Sequence, residues 1–223
     1  MSQLTKKFTT DRARRQGPQR REAILDAATE MFSRAGFHHA SIADIAAAVG
    51  ITQAGLLHHF PSKRELLLAV LQEREDRNAT SEMRRYDAGA DYLQSFVQTL
   101  RENEKTPAMV QLFAILSSEA VFADHPAHVY FVDRYRRLIR TVTEALEPVV
   151  DVDRLPSGAT TETVARWIVA AADGLRLQWL LDPETVDRPA SLEQLIEILR
   201  PYLRDGSVVG SQPRTLTPWA RKS

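Results

Sequence analysis

Residues 41–60 read SIADIAAAVGITQAGLLHHF. Ser41 is followed three residues later by Asp44, a pairing that caps a helix at its start. Gly50 then offers the positive φ that ends a helix in a tight turn. Thr52 is placed to cap a second short helix running to about His59. Ile45, Val49, Ile51, Leu56 and Phe60 fall on inward positions, and Ala46 and Ala47 are small enough for a steep crossing of two helices. Thr52, Gln53, Ala54, Gly55, Leu57 and His58 remain outward. That pattern predicts a helix-turn-helix. The chemistry open to such a face is recognition of the DNA major groove, N-terminus first. There a helix start meets phosphate and glutamine pairs with adenine. The competing reading is an ordinary helical hairpin in an all-α core. The glycine turn, a second capping box at Ser62 and Glu65, and a basic leader weigh together for DNA.

Other chemistries find little support. His38, His39, His58 and His59 form two adjacent pairs, and neighbouring residues on a helix face different ways, which suits chelation poorly. The chain has no cysteine, so thiolate metal sites, disulfides and cysteine nucleophiles are excluded. No metal and no cofactor are expected. There is no glycine-rich phosphate loop, G-x-S-x-G elbow or H-E-x-x-H pair, so an enzyme is not expected either.

The elements that must position this face follow from helical spacing, which dominates the 223 residues. The chain reads as all-α. Ile24, Leu25, Ala28, Met31 and Phe32 form the apolar stripe of a first helix, taken to start at Pro18 and stop at Gly36. Leu66, Leu67, Val70 and Leu71 share one face of a fourth helix. Longer segments follow at 92–101, 107–122, 126–146, 160–181 and 192–203. Residues 107–122 are nearly apolar throughout and are expected to be buried. The organisation is then a basic disordered arm (1–17), a DNA-binding domain (18–78), a helical domain (79–203) and a flexible tail (204–223).

Lysine plus arginine and aspartate plus glutamate both number 29, so the net charge is zero. Residues 1–22 nonetheless hold seven basic residues against two acidic ones, a local +5 that leaves −5 for the rest. A positive end on a slightly acidic body suits a polyanion touched at one end; a solvated leader with no contacts is the alternative. No apolar run approaches the roughly 20 residues of a membrane span, and the N-terminus lacks a secretory apolar region. A cytoplasmic protein without a membrane partner is expected.

The stretches RREAILDAATEMFSRAGF, SIADIAAAVGIT and GLLHHFPSKRELLLAV make residues 19–72 resemble the DNA-binding domain of TetR-type (tetracycline-repressor-like) transcriptional regulators. The later segment ADGLRLQWLLDP is similar to one in the penultimate helix of many members. One departure is Leu57, where the family usually has an aromatic residue that packs on DNA. Leucine keeps an apolar contact and loses the hydroxyl.

The resemblance implies roles. Ser41 and Thr52 lie at helix starts facing the backbone of DNA, with Thr52 on a phosphate. Gln53 reads a base edge, and Ala54 and Gly55 allow close approach. Leu57 supplies an apolar contact, His58 reaches a base or phosphate, and Lys63 holds a phosphate as a point charge. Arg12, Arg14 and Arg15 are expected to supplement these from the minor groove. The resemblance also implies a homodimer through the last two long helices, with Trp167, Ala171, Leu175, Trp179, Leu195 and Leu199 as candidate interface residues. A small-molecule effector pocket is implied as well, walled by Phe96, Phe113, Phe122, Tyr130, Phe131 and Tyr135. Glu119, in a near-apolar helix, either meets the ligand or pairs with Arg136, Arg137 or Arg176. The expected function is a repressor released from a palindromic operator by its effector. The alternative is a DNA-binding dimer controlled by a protein partner, or by no ligand.

Overall fold

The computed structural model describes residues 2–87, 92–156 and 158–204, with side chains for 18–81, 92–156 and 158–204. The described residues form α-helices joined by turns and two 3-10 turns. The chain divides into two compact units, residues 1–73 and 74–223. The division falls inside one helix, whereas the sequence expectation placed it after residue 78.

The first unit holds α1 (Ser2–His39), α2 (Ile42–Ala48), α3 (Gln53–His59) and the start of α4 (Lys63–Asp87). Its interior is hydrocarbon: Ile24, Ala28, Phe32, Ile45, Leu56, Leu66, Leu67 and Leu71 are all fully buried. Each large aliphatic side chain removed from water in this way contributes about 1.5–3 kcal/mol before entropy is counted. Ala46 sits at the helix contact as expected, but Ala47 is exposed. One residue per side is enough where two short helices cross steeply.

Two expectations for α1 need correction. The helical backbone begins at Ser2 and passes through Pro18, so residues 2–17 have helical backbone where a disordered arm was expected, and Pro18 is not the first turn. The preceding run is rich in lysine, arginine and glutamine, all good helix formers. A proline inside a helix removes one backbone hydrogen bond without forbidding continuation. Gly36 does interrupt the helix, at φ 66° and ψ −176°. The side chains of Arg12, Arg14 and Arg15 lie outside the described ones.

The second unit holds the rest of α4, then α5 (Tyr92–Glu104), α6 (Pro107–Glu119), α7 (His128–Leu146), α8 (Thr161–Leu181) and α9 (Arg188–Ile198). α8 packs along α7 and against α9, and α5 lies on α9. Leu93, Val97, Val142, Leu146, Ile168 and Leu192 form the centre of their shared core. The segment after α7 is tied to the chain end by amides of Asp151 on the Tyr202 carbonyl and Arg204 on the Val149 carbonyl, both 2.9 Å. α6 stops at Glu119, three residues short of expectation, and Val121 and Phe122 are 70% and 69% exposed on the turn beyond it. No helix among the described residues is long and apolar enough to cross a membrane.

Candidate nucleic-acid interface and interior charge cluster

The helix-turn-helix is held by local bonds. The Ser41 side chain accepts from the Asp44 amide at 3.4 Å and starts α2. At the other end the Gly50 amide donates to the Ala47 carbonyl and the Ile51 amide to the Ala46 carbonyl, each at 3.0 Å. This double closure turns the chain around a left-handed residue, and Gly50 supplies it at φ 66°. The Thr52 hydroxyl accepts from the Gly55 amide at 3.0 Å and starts α3. A Cβ on Gly55 would stand 3.3 Å from that same hydroxyl. Glycine here keeps the cap unstrained as well as allowing close approach. Ser62 and Glu65 exchange two bonds, 3.1 and 3.2 Å, and start α4.

This scaffold turns Thr52, Gln53, Ala54 and His58 to solvent and leaves Gly55 and Leu57 half-buried. Leu56 beneath them is fully buried. Gln53 is therefore the amide side chain on the first turn of an exposed helix. The His58 and His59 rings meet edge to face at 5.9 Å. Among the described residues no group of three side chains is arranged to hold a metal ion. Lys63 is more constrained than expected. Its ammonium donates to the His38 carbonyl at 3.1 Å and lies 4.6 Å from the Phe37 ring centre. This contact anchors the ammonium group against the end of α1.

In the second unit the expected pocket residues separate. Phe113 is fully buried and packs edge to face on Phe131 at 5.7 Å and Tyr130 at 6.4 Å. Phe96 instead stacks on Tyr92 and packs on the neighbouring core. Phe122 does not wall an interior, because its turn carries it into solvent. The Glu119 carboxylate stands 3.3 Å from His125 Nε2. His125 Nδ1 accepts from the Ala127 amide, which leaves the proton on the nitrogen facing Glu119.

Around Phe113 lies a set of buried charges that the sequence reading missed. Arg74, on α4, stacks its guanidinium 3.6 Å above the Phe113 ring centre. Arg134 Nε donates to Glu75 at 3.1 Å. The Tyr135 hydroxyl donates to Asp173 at 2.7 Å, and Arg176 bridges the same carboxylate at 3.2 Å. Asp173 thus takes both its partners from within one chain. Burial lowers the Arg74 guanidinium to about 9, with Arg134 adding repulsion, and it stays charged at neutral pH. Burial by itself would raise the Glu75 carboxyl, but Arg134 and Arg74 outweigh it and hold the group below its ordinary 4.5. Burial and Glu75 push the Tyr130 phenol up. A cavity of about 430 Å³ lies on the outer side of α7 against α8, lined by Tyr135, Ile139 and Thr143 with Arg140, Glu144 and Arg166. Of the expected pocket aromatics it includes Tyr135 alone.

The candidate interface residues separate too. Leu199 belongs to the core, and Ala171, Leu175 and Leu195 pack partly against it. Trp179 is half-buried with Arg188 stacked on it at 5.3 Å. Trp167 is 49% exposed, as an interface residue should be. The exposed apolar and small stripe of α8 is Trp167, Ala170, Gly174, Leu177 and Leu181. Its spacing of three and four residues marks a single helix face, which shares Trp167 with the expected set.

This exposed helix, capped by Thr52, and the matches to known families together define a DNA-binding transcriptional regulator and not an enzyme. Residues 24–70 match the model of the bacterial regulatory proteins of the tetR family, and residues 90–205 match that of the BetI-type transcriptional repressor C-terminal region. The chain belongs to the TetR family of transcriptional regulators. It is 25% identical over 194 residues to the HTH-type transcriptional regulator TtgR of Pseudomonas putida, covering 83% of this chain and 92% of that one. Over 65 residues it is 40% identical to the regulator RutR of Escherichia coli, covering 29% of this chain and 31% of RutR. A transcriptional regulator from Saccharomonospora viridis, solved in complex with choline, shares the fold with a TM-score of 0.64 and 21% identity, covering 83% of this chain and 98% of that one.

Proposed function

We propose that the protein is a cytoplasmic homodimeric repressor that binds a palindromic operator and leaves it when a small molecule binds the second unit. The observation that carries the DNA half is Gln53, exposed on the first turn of a capped helix above a fully buried Leu56. In this reading Gln53 reads one base per half-site and Thr52 and Lys63 hold phosphates. The basic run before residue 22 adds sequence-independent affinity. One seven-residue helix binds weakly, so two copies on half-sites about 34 Å apart are needed.

The exposed stripe on α8 supports the dimer. Nothing lies within 4 Å of where a Gly174 Cβ would stand, and small residues let two helices approach closely. Ligand control is supported by the match to a repressor C-terminal model and by the choline complex of a protein with the same fold. α4 belongs to both units, so a ligand touching its second half has a covalent route to the DNA-binding unit.

Selection of genomic fragments by the purified protein at near-physiological salt tests the reading. A short palindrome enriched at a few loci is expected. Binding without enrichment and lost steeply in salt overturns it. Sedimentation checks the dimer: Gly174→Leu should shift the protein to monomer, and an unchanged dimer would place the interface elsewhere.

A further inference from the structure

The interior around Phe113 does not balance its charges. Three arginines, Arg74, Arg134 and Arg176, stand with two carboxylates. Glu75 is taken by Arg134 and Asp173 by Arg176. Arg74 is left. It is 8% exposed, and its Nε and Nη1 atoms are buried with no hydrogen-bond partner. The Tyr130 hydroxyl beside Glu75 is buried without a well-formed bond as well. Arginine is almost never fully buried unless paired. Water can satisfy its N–H groups but cannot cancel its charge, and a buried unpaired charge is expensive. A residue kept at such a cost is characteristic of a binding group.

We infer that the effector is an organic anion whose carboxylate is received by Arg74 and whose apolar body lies against the Phe113, Tyr130 and Phe131 rings. The inference rests on the proposed effector-controlled function and names the class of ligand for it. An anion would bring this interior to neutrality, whereas a quaternary ammonium would add to a positive excess. Glu75 cannot serve as a cation receptor while Arg134 holds it and Arg74 lies beside it. The Phe113 face under the guanidinium fixes its plane, so the donors are already oriented when the ligand arrives. Because Arg74 sits on α4 immediately after the division between the units, anchoring it biases the helix that both units share.

The test uses the full-length dimer and three probes of equal chain length, well below micelle formation: decanoate, decanol and decyltrimethylammonium. Calorimetry should show decanoate binding at least tenfold more tightly than either of the others. Arg74→Met should lose that preference, and Arg74→Lys should regain part of it. Without ligand, Arg74→Met should melt at the same temperature as the wild type or above it, since an unpaired charge has been replaced by an apolar chain. Equal binding of the three probes, or of none, overturns the inference. So does a preference for decanoate that survives in Arg74→Met. A marked fall in the melting temperature of ligand-free Arg74→Met would make Arg74 a structural residue and overturn it too. Operator release, read by fluorescence anisotropy, separates the two readings. Decanoate that binds through Arg74 without releasing DNA keeps the site and sinks ligand control. Release by a neutral or cationic compound alone keeps ligand control and sinks the anion.

Discussion

The two units solve the placement of polar groups in opposite ways. In residues 18–73 the one polar residue classed as buried is Ser33, whose hydroxyl bonds to the Glu30 carbonyl. Everything that can meet DNA stands on the outside of a hydrocarbon core. In the second unit Arg74, His125 and Arg188 are buried, and Arg134 and Arg176 are nearly so. The first unit needs a rigid reading head, and an apolar core with capped helices supplies one. The second carries charge in its interior, which the proposed function assigns to an effector. Apolar and charged interiors are thus divided between two parts of one chain.

The sharpest contrast is in what each interior cannot lose. Leu56→Ala, beneath the reading face, should cost about 2–5 kcal/mol through lost burial and a cavity, seen as a lower urea midpoint. Glu75→Gln changes no volume, yet it strands the charge of Arg134 and worsens that of Arg74. Because 30% of the Glu75 side chain remains accessible, the expected cost is at the low end for a broken ion pair, about 3 kcal/mol. A wild-type-like midpoint would remove the electrostatic half of the comparison. The pH dependence has a definite sign. Glu75 is depressed below 4.5, so its stabilisation is fully present above that value and is lost as pH falls through the lower folded value. In Glu75→Gln this contribution to acid sensitivity should be missing.

Smaller effects sharpen the reading of the surface. Gln53→Ala should leave stability unchanged and relax preference at one position per half-site, about 1–3 kcal/mol, measured by competition between operator variants. Equal weakening on all sequences would make Gln53 a phosphate contact. Thr52→Ala should cost about 1 kcal/mol of stability through the lost cap. If its whole effect were on DNA binding, the cap would be incidental and the phosphate contact its only role.

The first unit was readable because its determinants are short-range. Ser41 to Asp44, Gly50, Thr52 to Gly55 and Ser62 to Glu65 each act within three residues, and each appears in the structure as a bond or a dihedral. The family resemblance across residues 19–72 rests on these same positions. The second unit offered one signal that was passed over. Arg74 continues the stripe of Leu67, Val70 and Leu71, and Arg134 lies three residues after Phe131 and four before Leu138. A charge standing in the apolar register of a helix is the mark of a buried charge. The outward face of α8 is hard to read from sequence because both its faces carry apolar residues: Ala171 and Leu175 on one side, Trp167, Leu177 and Leu181 on the other.

The sequence by itself determined where α2, α3 and α4 start and that α3 presents Gln53, Ala54 and His58 outward above Leu56, because caps and glycine turns are local and the apolar period of a helix fixes its inward side. Only the tertiary structure decided that Glu75 belongs to Arg134, that Asp173 receives the Tyr135 hydroxyl, and that Arg74 has no carboxylate of its own. Those partners are up to 59 residues apart. Which arginine of a charged helix is paired depends on what the facing helices bring to it, and no spacing within one helix encodes that.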